Sequence, residues 1–298
     1  NAVFFVNSGT EAAEGAMKLA KRYTGRTQFI SAYKAYHGAT NGALSLQSEE
    51  EFAQPFRPLL PDIKHIEYNN LEDLSIITEA TAAVILETVQ GEAGVRPPKP
   101  GYLKAVKARC EEVGALLILD EIQTGFGRTG SFWGFEQFDV VPDVILTAKG
   151  LGGGMPLGAF ISSKEILSCF QDNPILGHIT TFGGHPVNCA ASLATVKVLH
   201  EENLIAQVEE KSKLFKQLLV HPAIKEVRGK GLMLAAQLDS FETLKAVIDQ
   251  ALLNGVLTDW FLFCDDTMRI APPLTITKEE IKTACETILK SIDQALNK

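Results

Sequence analysis

The run Ala115-Leu116-Leu117-Ile118-Leu119-Asp120 constrains the fold more than any other stretch of this chain. A strand with one wet face alternates apolar and polar residues. An unbroken apolar run is instead buried on both faces, as strands of a parallel sheet are. Further strands are expected at 82–87, 143–147 and 158–162, with shorter ones at 27–31 and 63–68. Between them, apolar residues recur at helical spacing over 10–22 and 101–113, and a helix is expected at 71–79. Residues 49–62 read as a proline-containing loop, 125–138 as a glycine-rich loop, and 187–219 as helix with one break. A helix at 240–254, short strands over 256–271 and a last helix at 277–296 complete the reading.

Asp120 stands where its strand ends, and open α/β sheets bind ligands outside the carboxyl ends of their strands. Lys149 follows the next strand and enters Gly150-Leu151-Gly152-Gly153-Gly154. Glycines let the backbone approach a ligand closely. Apolar surroundings disfavour an ammonium and leave a nucleophilic amine. Taken singly, Lys149 also reads as a surface lysine and Asp120 as a cap of the loop after it. Both fall on one rim of one sheet, which is the pairing a pyridoxal phosphate site needs. The lysine forms an imine, and the anion keeps the pyridine nitrogen protonated so that the ring can act as an electron sink. The opening residues, 2–14, read as strand, tight turn and helix, with Ser8, Gly9 and Thr10 at the helix N-terminus. Hydroxyls and free N–H groups there make an anion site, or an ordinary N-cap.

The chain has 298 residues and a net charge of −8, so no basic footprint for nucleic acid or an anionic membrane is present. No apolar run approaches the length of a membrane span. Five cysteines are scattered with no C-x-x-C, which fits reduced thiols in a cytoplasmic protein, and the six histidines make no metal-ligand spacing. Neither 227–233 nor the glycines at 150–158 satisfy a phosphate-loop or dinucleotide-binding pattern.

The segments NSGTEA, YHGAT, LETVQGEAG, LLILDEIQTGFGRTG, AKGLGGGMPLGA, TTFGGHP and RIAPPL, in this order from residue 7 to residue 274, resemble the class III pyridoxal-phosphate aminotransferases of the ornithine, acetylornithine and 4-aminobutyrate type. The resemblance implies the aspartate-aminotransferase-like fold (fold type I): a large three-layer α/β/α domain, residues 1–198, and a smaller α+β C-terminal domain, residues 199–298. It makes Lys149 the catalytic Schiff-base lysine and Asp120 the partner of the ring nitrogen. Tyr36 would stack on the ring, His37 would line the site, and Gln123 would reach the ring hydroxyl. Thr181 would donate to the cofactor phosphate of a neighbouring subunit, which implies a homodimer with shared sites. Glu92 and Arg269 would form an exchangeable pair that neutralises Arg269 for an amine and frees it for a carboxylate. Read without the family, Tyr36 is a core tyrosine, Thr181 an N-cap, Glu92 a solvated acid and Arg269 a surface strand residue.

The implied activity moves an amino group, typically a terminal ω-amine, to an oxo acid such as 2-oxoglutarate. An aminomutase of the glutamate-1-semialdehyde kind and a non-catalytic dimeric relative are the alternatives. One position departs from the pattern. Ala39 stands where those aminotransferases usually carry an arginine that grips a distal carboxylate, and alanine cannot do so. His185 replaces the usual asparagine and has no role assigned from sequence. Family members also carry roughly a hundred further residues before the part that Asn1 begins, a domain-sized piece, so a preceding segment at the substrate entrance is expected.

Overall fold

The apolar runs form the middle of a seven-stranded sheet in the computed structural model, which describes residues 1–296. In chain order the elements begin β1 (Ala2–Val6), α1 (Gly9–Thr24), β2 (Gln28–Ala32), α2 (Asn41–Ser45), α3 (Glu50–Ala53), β3 (Ile63–Ile66) and β4 (Thr81–Glu87). They continue α4 (Tyr102–Val113), β5 (Leu116–Asp120), β6 (Val144–Thr147), β7 (Gly158–Ser162), α5 (Lys164–Ser168), α6 (Pro186–Glu201) and α7 (Val208–Leu218). The rest are β8 (Glu226–Lys230), β9 (Met233–Gln237), α8 (Phe241–Leu253), β10 (Trp260–Phe261), β11 (Cys264–Ile270) and α9 (Lys278–Leu296).

The large sheet has the order β1-β7-β6-β5-β4-β2-β3. The strands β3, β2, β4, β5 and β6 pair in parallel, and only β7 pairs antiparallel with its neighbours β6 and β1. Every residue of β4 and β5 is buried. Alternate side chains of these strands feed two separate cores. Ala83, Ile85 and Ile118 pack with Ala12, Ala16, Leu19 and Ala20 of α1. Val84, Leu86, Leu117 and Leu119 pack with Leu103, Val106 and Cys110 of α4. The three layers therefore follow from period-two strands placed between two helices.

α1 starts where the sequence indicates. Ser8 is its N-cap and accepts from Glu11 N at 3.3 Å, and Gly25 ends it in the left-handed region at φ 69°. The expected helix at 71–79 is shorter, a 3₁₀ turn over Glu72–Ile76, and the strand expected at 63–68 stops at Ile66. The loop at 49–62 contains the short α3 and a 3₁₀ turn. A four-stranded antiparallel sheet of order β10-β11-β9-β8 forms near the C-terminus. Leu234 and Ala236 of β9 join the core made with α7, α8 and α9. Met233 and Ala235 face the other way and pack with Phe261 and with Val89 and Val95, which follow β4. That second cluster joins the two sheets. Helix α6 spans residue 198, the boundary expected between the two domains. None of the described helices is long and apolar enough to cross a membrane.

Candidate active site

The parallel strands end together, and their ends supply the site. Glu87 closes β4 opposite Asp120, which closes β5, and Ala148 and Lys149 follow β6 directly. Lys149 has a positive φ of 43° and opens a short 3₁₀ turn.

A cavity of about 440 Å³ lies over these ends. Ser8, Gly9 and Thr10 border it on one side, Asp120 and Lys149 on another, and Tyr36, His37 and Gln123 close it. The N–H groups of Gly9 and Thr10 belong to the first turn of α1, where no carbonyl of the helix can reach them. A second network fixes this corner. Thr40 donates from its backbone N–H to Thr10 Oγ1 at 3.2 Å and from its hydroxyl to Glu14 Oε1 at 2.6 Å. Gly38 brings the Tyr36–Thr40 loop onto α1 at φ 133°. A Cβ there would lie 2.9 Å from Thr10 Cα.

Asp120 is used on both oxygens. Its Oδ1 accepts from Ile122 N at 2.9 Å, the loop cap that sequence leaves open. Its Oδ2 accepts from Nδ1 of the buried His37 at 2.8 Å. Burial works against a charged imidazole, but the hydrogen bond and charge of Asp120, with Glu87 behind them, hold His37 above its ordinary titration range. Glu87 is fully enclosed, and its Oε1 accepts from Gly91 N at 2.9 Å. Desolvation raises its pKa from 4.5 to about 7, with Asp120 adding to the rise and His37 opposing it. Lys149 has substantial accessible area because the cavity is open, yet protein surrounds most of its side chain. That desolvation lowers its pKa, while Asp120, Glu92 and Glu87 oppose the shift. The enclosure is the quantity that governs its chemistry, since it sets how much solvent stabilises the ammonium.

A larger chamber of about 760 Å³ adjoins the first. Tyr36, Ile122, Gln123 and Lys149 line both. Its walls carry Phe126, Leu199, Met233, Trp260, Leu262 and Leu274. At its edge Arg269 Nη2 donates to Glu92 Oε1 at 2.9 Å and Oε2 at 2.8 Å. Glu92 also accepts from Leu262 N at 3.1 Å, and the guanidinium lies 4.5 Å from the Phe261 ring centroid. The surface readings of this acid and this arginine are thus wrong: their side chains are 7% and 28% exposed and paired.

Of the residues given a role from sequence, Thr181 alone lies away from both cavities, exposed in the segment before α6. It is not an N-cap. His185 has that place, accepting from Val187 N at 3.3 Å, which gives this histidine a structural role. Ala39 borders the smaller cavity. Sequence reasoning passed over Glu87, although an acid that closes an unbroken apolar run is the same signal as Asp120. It also passed over Arg128, which lines the chamber and donates to the carbonyls of Leu232 at 3.0 Å and Pro272 at 2.5 Å, tying the loop after β5 to loops of the C-terminal sheet.

The fold and this rim of strand ends define a fold type I pyridoxal-phosphate-dependent transferase. The chain belongs to the class III aminotransferases, whose family model matches residues 1–292. It is similar to the ornithine aminotransferase of Toxoplasma gondii, at 32% identity and a TM-score of 0.93, over 100% of this chain and 73% of that one. It is also similar to the adenosylmethionine-8-amino-7-oxononanoate aminotransferase of Methanocaldococcus jannaschii, at 31% identity and a TM-score of 0.89, over 98% and 75% of the two chains. An amine transaminase from an uncultivated Pseudomonas species, solved in its PLP-bound form, matches at 28% identity and a TM-score of 0.91, over 99% and 77%. The protein is an aminotransferase, and class III aminotransferases use pyridoxal phosphate.

Proposed function

We propose that this enzyme transfers the terminal amino group of an ω-amine or ω-amino acid to an oxo acid, 2-oxoglutarate being the expected acceptor. One observation carries the reading. The amine of Lys149, the carboxylate of Asp120 and the N-terminus of α1 line one cavity, and that cavity adjoins a chamber edged by the Glu92–Arg269 ion pair. An anion receptor, a carboxylate and an amine are the donor set that pyridoxal phosphate requires, so the residues fit the group. Ser8, Gly9 and Thr10 would hold its phosphate, Asp120 its ring nitrogen, Gln123 its ring hydroxyl, Tyr36 one ring face and Lys149 its carbonyl carbon. When bound, the cofactor supplies an electron sink for the bond broken at the donor carbon.

The protein's own groups do the rest. Lys149 Nζ, whose pKa is lowered by its enclosure, takes the proton from the carbon that bears the departing nitrogen. His37 holds Asp120 in place through its Nδ1 hydrogen bond. Glu92 neutralises Arg269 while an amine occupies the chamber. When Glu92 swings away, the fork of Arg269 takes the carboxylate of the oxo acid. The position of Ala39 offers no cation to a distal carboxylate, and apolar side chains line much of the chamber. Both favour donors with an uncharged or apolar body.

A second copy of the chain would bring its own Thr181 to this site. Ile175, Leu176, Ile179 and Phe182, exposed on the segment that carries Thr181, support that reading.

The test follows glutamate formed from 2-oxoglutarate with ornithine, N-acetylornithine, 4-aminobutyrate, lysine and putrescine as donors. Turnover that requires both a donor and an oxo acid supports the proposal. Conversion of an amino substrate without any oxo acid would make the enzyme a mutase instead. If carboxylate-bearing donors are preferred throughout, another cation replaces the arginine absent at Ala39.

A further inference from the structure

The turn that carries Glu92 is held from outside by a residue that touches neither cavity. Gly94 and Val95 each donate to Gly91 O, at 3.0 and 3.1 Å, and so close a tight turn over Gly91–Val95. Three donors from the C-terminal sheet seize it. Leu262 N donates to Glu92 Oε2 at 3.1 Å, Phe263 N to Glu92 O at 3.1 Å, and Arg228 Nε to Gly94 O at 2.7 Å. The first of these binds the Glu92 side chain; the other two bind the backbone of the turn and do not depend on where that side chain points.

Arg228 is itself braced. It donates to Gln237 Oε1 at 2.9 Å, Glu226 Oε2 at 3.2 Å and Thr267 Oγ1 at 3.4 Å, and Gln237 in turn donates to Asp266 Oδ2 at 2.7 Å. Its side chain is 19% exposed, so water competes little for these bonds. The fit is close. A Cβ added at Gly94, where φ is 87°, would lie 2.7 Å from Arg228 Nη2 and 2.6 Å from Cys264 Sγ.

We propose that Arg228 is a positioning residue for amino transfer, acting through Gly94 to return the Glu92 carboxylate to Arg269 after each turn with an oxo acid. This rests on the reading of Glu92 and Arg269 as an exchangeable pair. If the clamp is lost, the turn drifts and Glu92 meets Arg269 less often. An amine then faces an unneutralised guanidinium and binds more weakly. An oxo acid no longer has to displace Glu92 and binds as well or better. The two Michaelis constants therefore move apart, which a general loosening of the fold would not produce.

The experiment measures KM and kcat for the amine donor and for the oxo acid separately, in cofactor-loaded wild type, Arg228→Met, Arg228→Lys and Glu92→Gln. Arg228→Met should raise the donor KM about tenfold, the scale of one charge-assisted hydrogen bond, and leave the oxo-acid KM unchanged or lower. Arg228→Lys, which can still reach Gly94 O, should recover part of the ratio. Equal changes in both constants, or none, in the Arg228 variants would overturn the positioning role if Glu92→Gln still separates them. A Glu92→Gln enzyme that does not separate them overturns the exchange itself and this proposal with it. If Arg228→Met does not fold, the lysine variant decides alone: a donor KM and oxo-acid KM that rise together count against the proposal.

Discussion

Asp120 Oδ2 accepts a 2.8 Å hydrogen bond from Nδ1 of His37, and both side chains are buried at the end of β5. The carboxylate is thereby fixed at the cavity wall with a donor on each oxygen, Ile122 N being the other. Asp120→Asn keeps the size of the group and removes its charge. The variant should lose turnover by about 10²- to 10³-fold, the usual cost of deleting one preorganised electrostatic partner. Steady-state kinetics on cofactor-loaded enzyme, with binding of pyridoxal phosphate by equilibrium dialysis, checks this. Turnover within a few-fold of wild type would remove Asp120 from the chemistry.

Lys149→Ala should abolish turnover and leave the fold standing, because the lysine makes no contact that the core depends on. Circular dichroism and gel filtration should match wild type while amino transfer falls below detection. A variant retaining ordinary activity would sink the assignment of this cavity.

Glu87 links stability to pH. Its pKa in the folded chain is about 7 against an ordinary value of 4.5, because burial penalises the carboxylate. Between those values the folded state binds more protons than the unfolded one, so this group makes stability fall as pH rises. Glu87→Gln removes that slope. At about 1.4 kcal/mol per pH unit, the stability of the variant relative to wild type should rise by at most about 3 kcal/mol from pH 4.5 to pH 8. Urea unfolding at several pH values measures it. A difference independent of pH would mean that Glu87 stays ionised.

Gly94→Ala combines backbone strain with a clash. At φ 87°, with Cys264 Sγ 2.6 Å from the new Cβ, the substitution should destabilise the enzyme by about 1–3 kcal/mol. It should also raise the donor KM, since the Glu92 turn must move. Thermal unfolding and donor kinetics together test both parts. An unchanged donor KM at reduced stability would separate the turn from the exchange.

The pattern of short apolar runs was enough to define the parallel sheet, because burial on both faces leaves no other periodicity open to a strand. It was also enough to place Asp120 and Lys149, since the ends of parallel strands share one rim. The helix expected at 71–79 failed for a local reason. At about 3.6 residues per turn Leu71 and Leu74 share a face but Ile76 falls roughly opposite, so the three make no single apolar stripe and the segment closes into a single 3₁₀ turn between β3 and β4.

What the sequence alone determined, then, is what depends on neighbours along the chain: strand burial, helix caps and the order of the motifs. Ser8 is one such case, because its partner is only three residues away. What only the tertiary structure decided depends on groups far apart in the chain. Gly94 and Arg228 are separated by 134 positions, and the 177 between Glu92 and Arg269 were bridged beforehand only by the family resemblance. No periodicity reports such pairs. The identity of Glu87 as an acid near neutrality belongs to the same class, because desolvation comes from the surfaces that close over a residue and not from its neighbours in sequence.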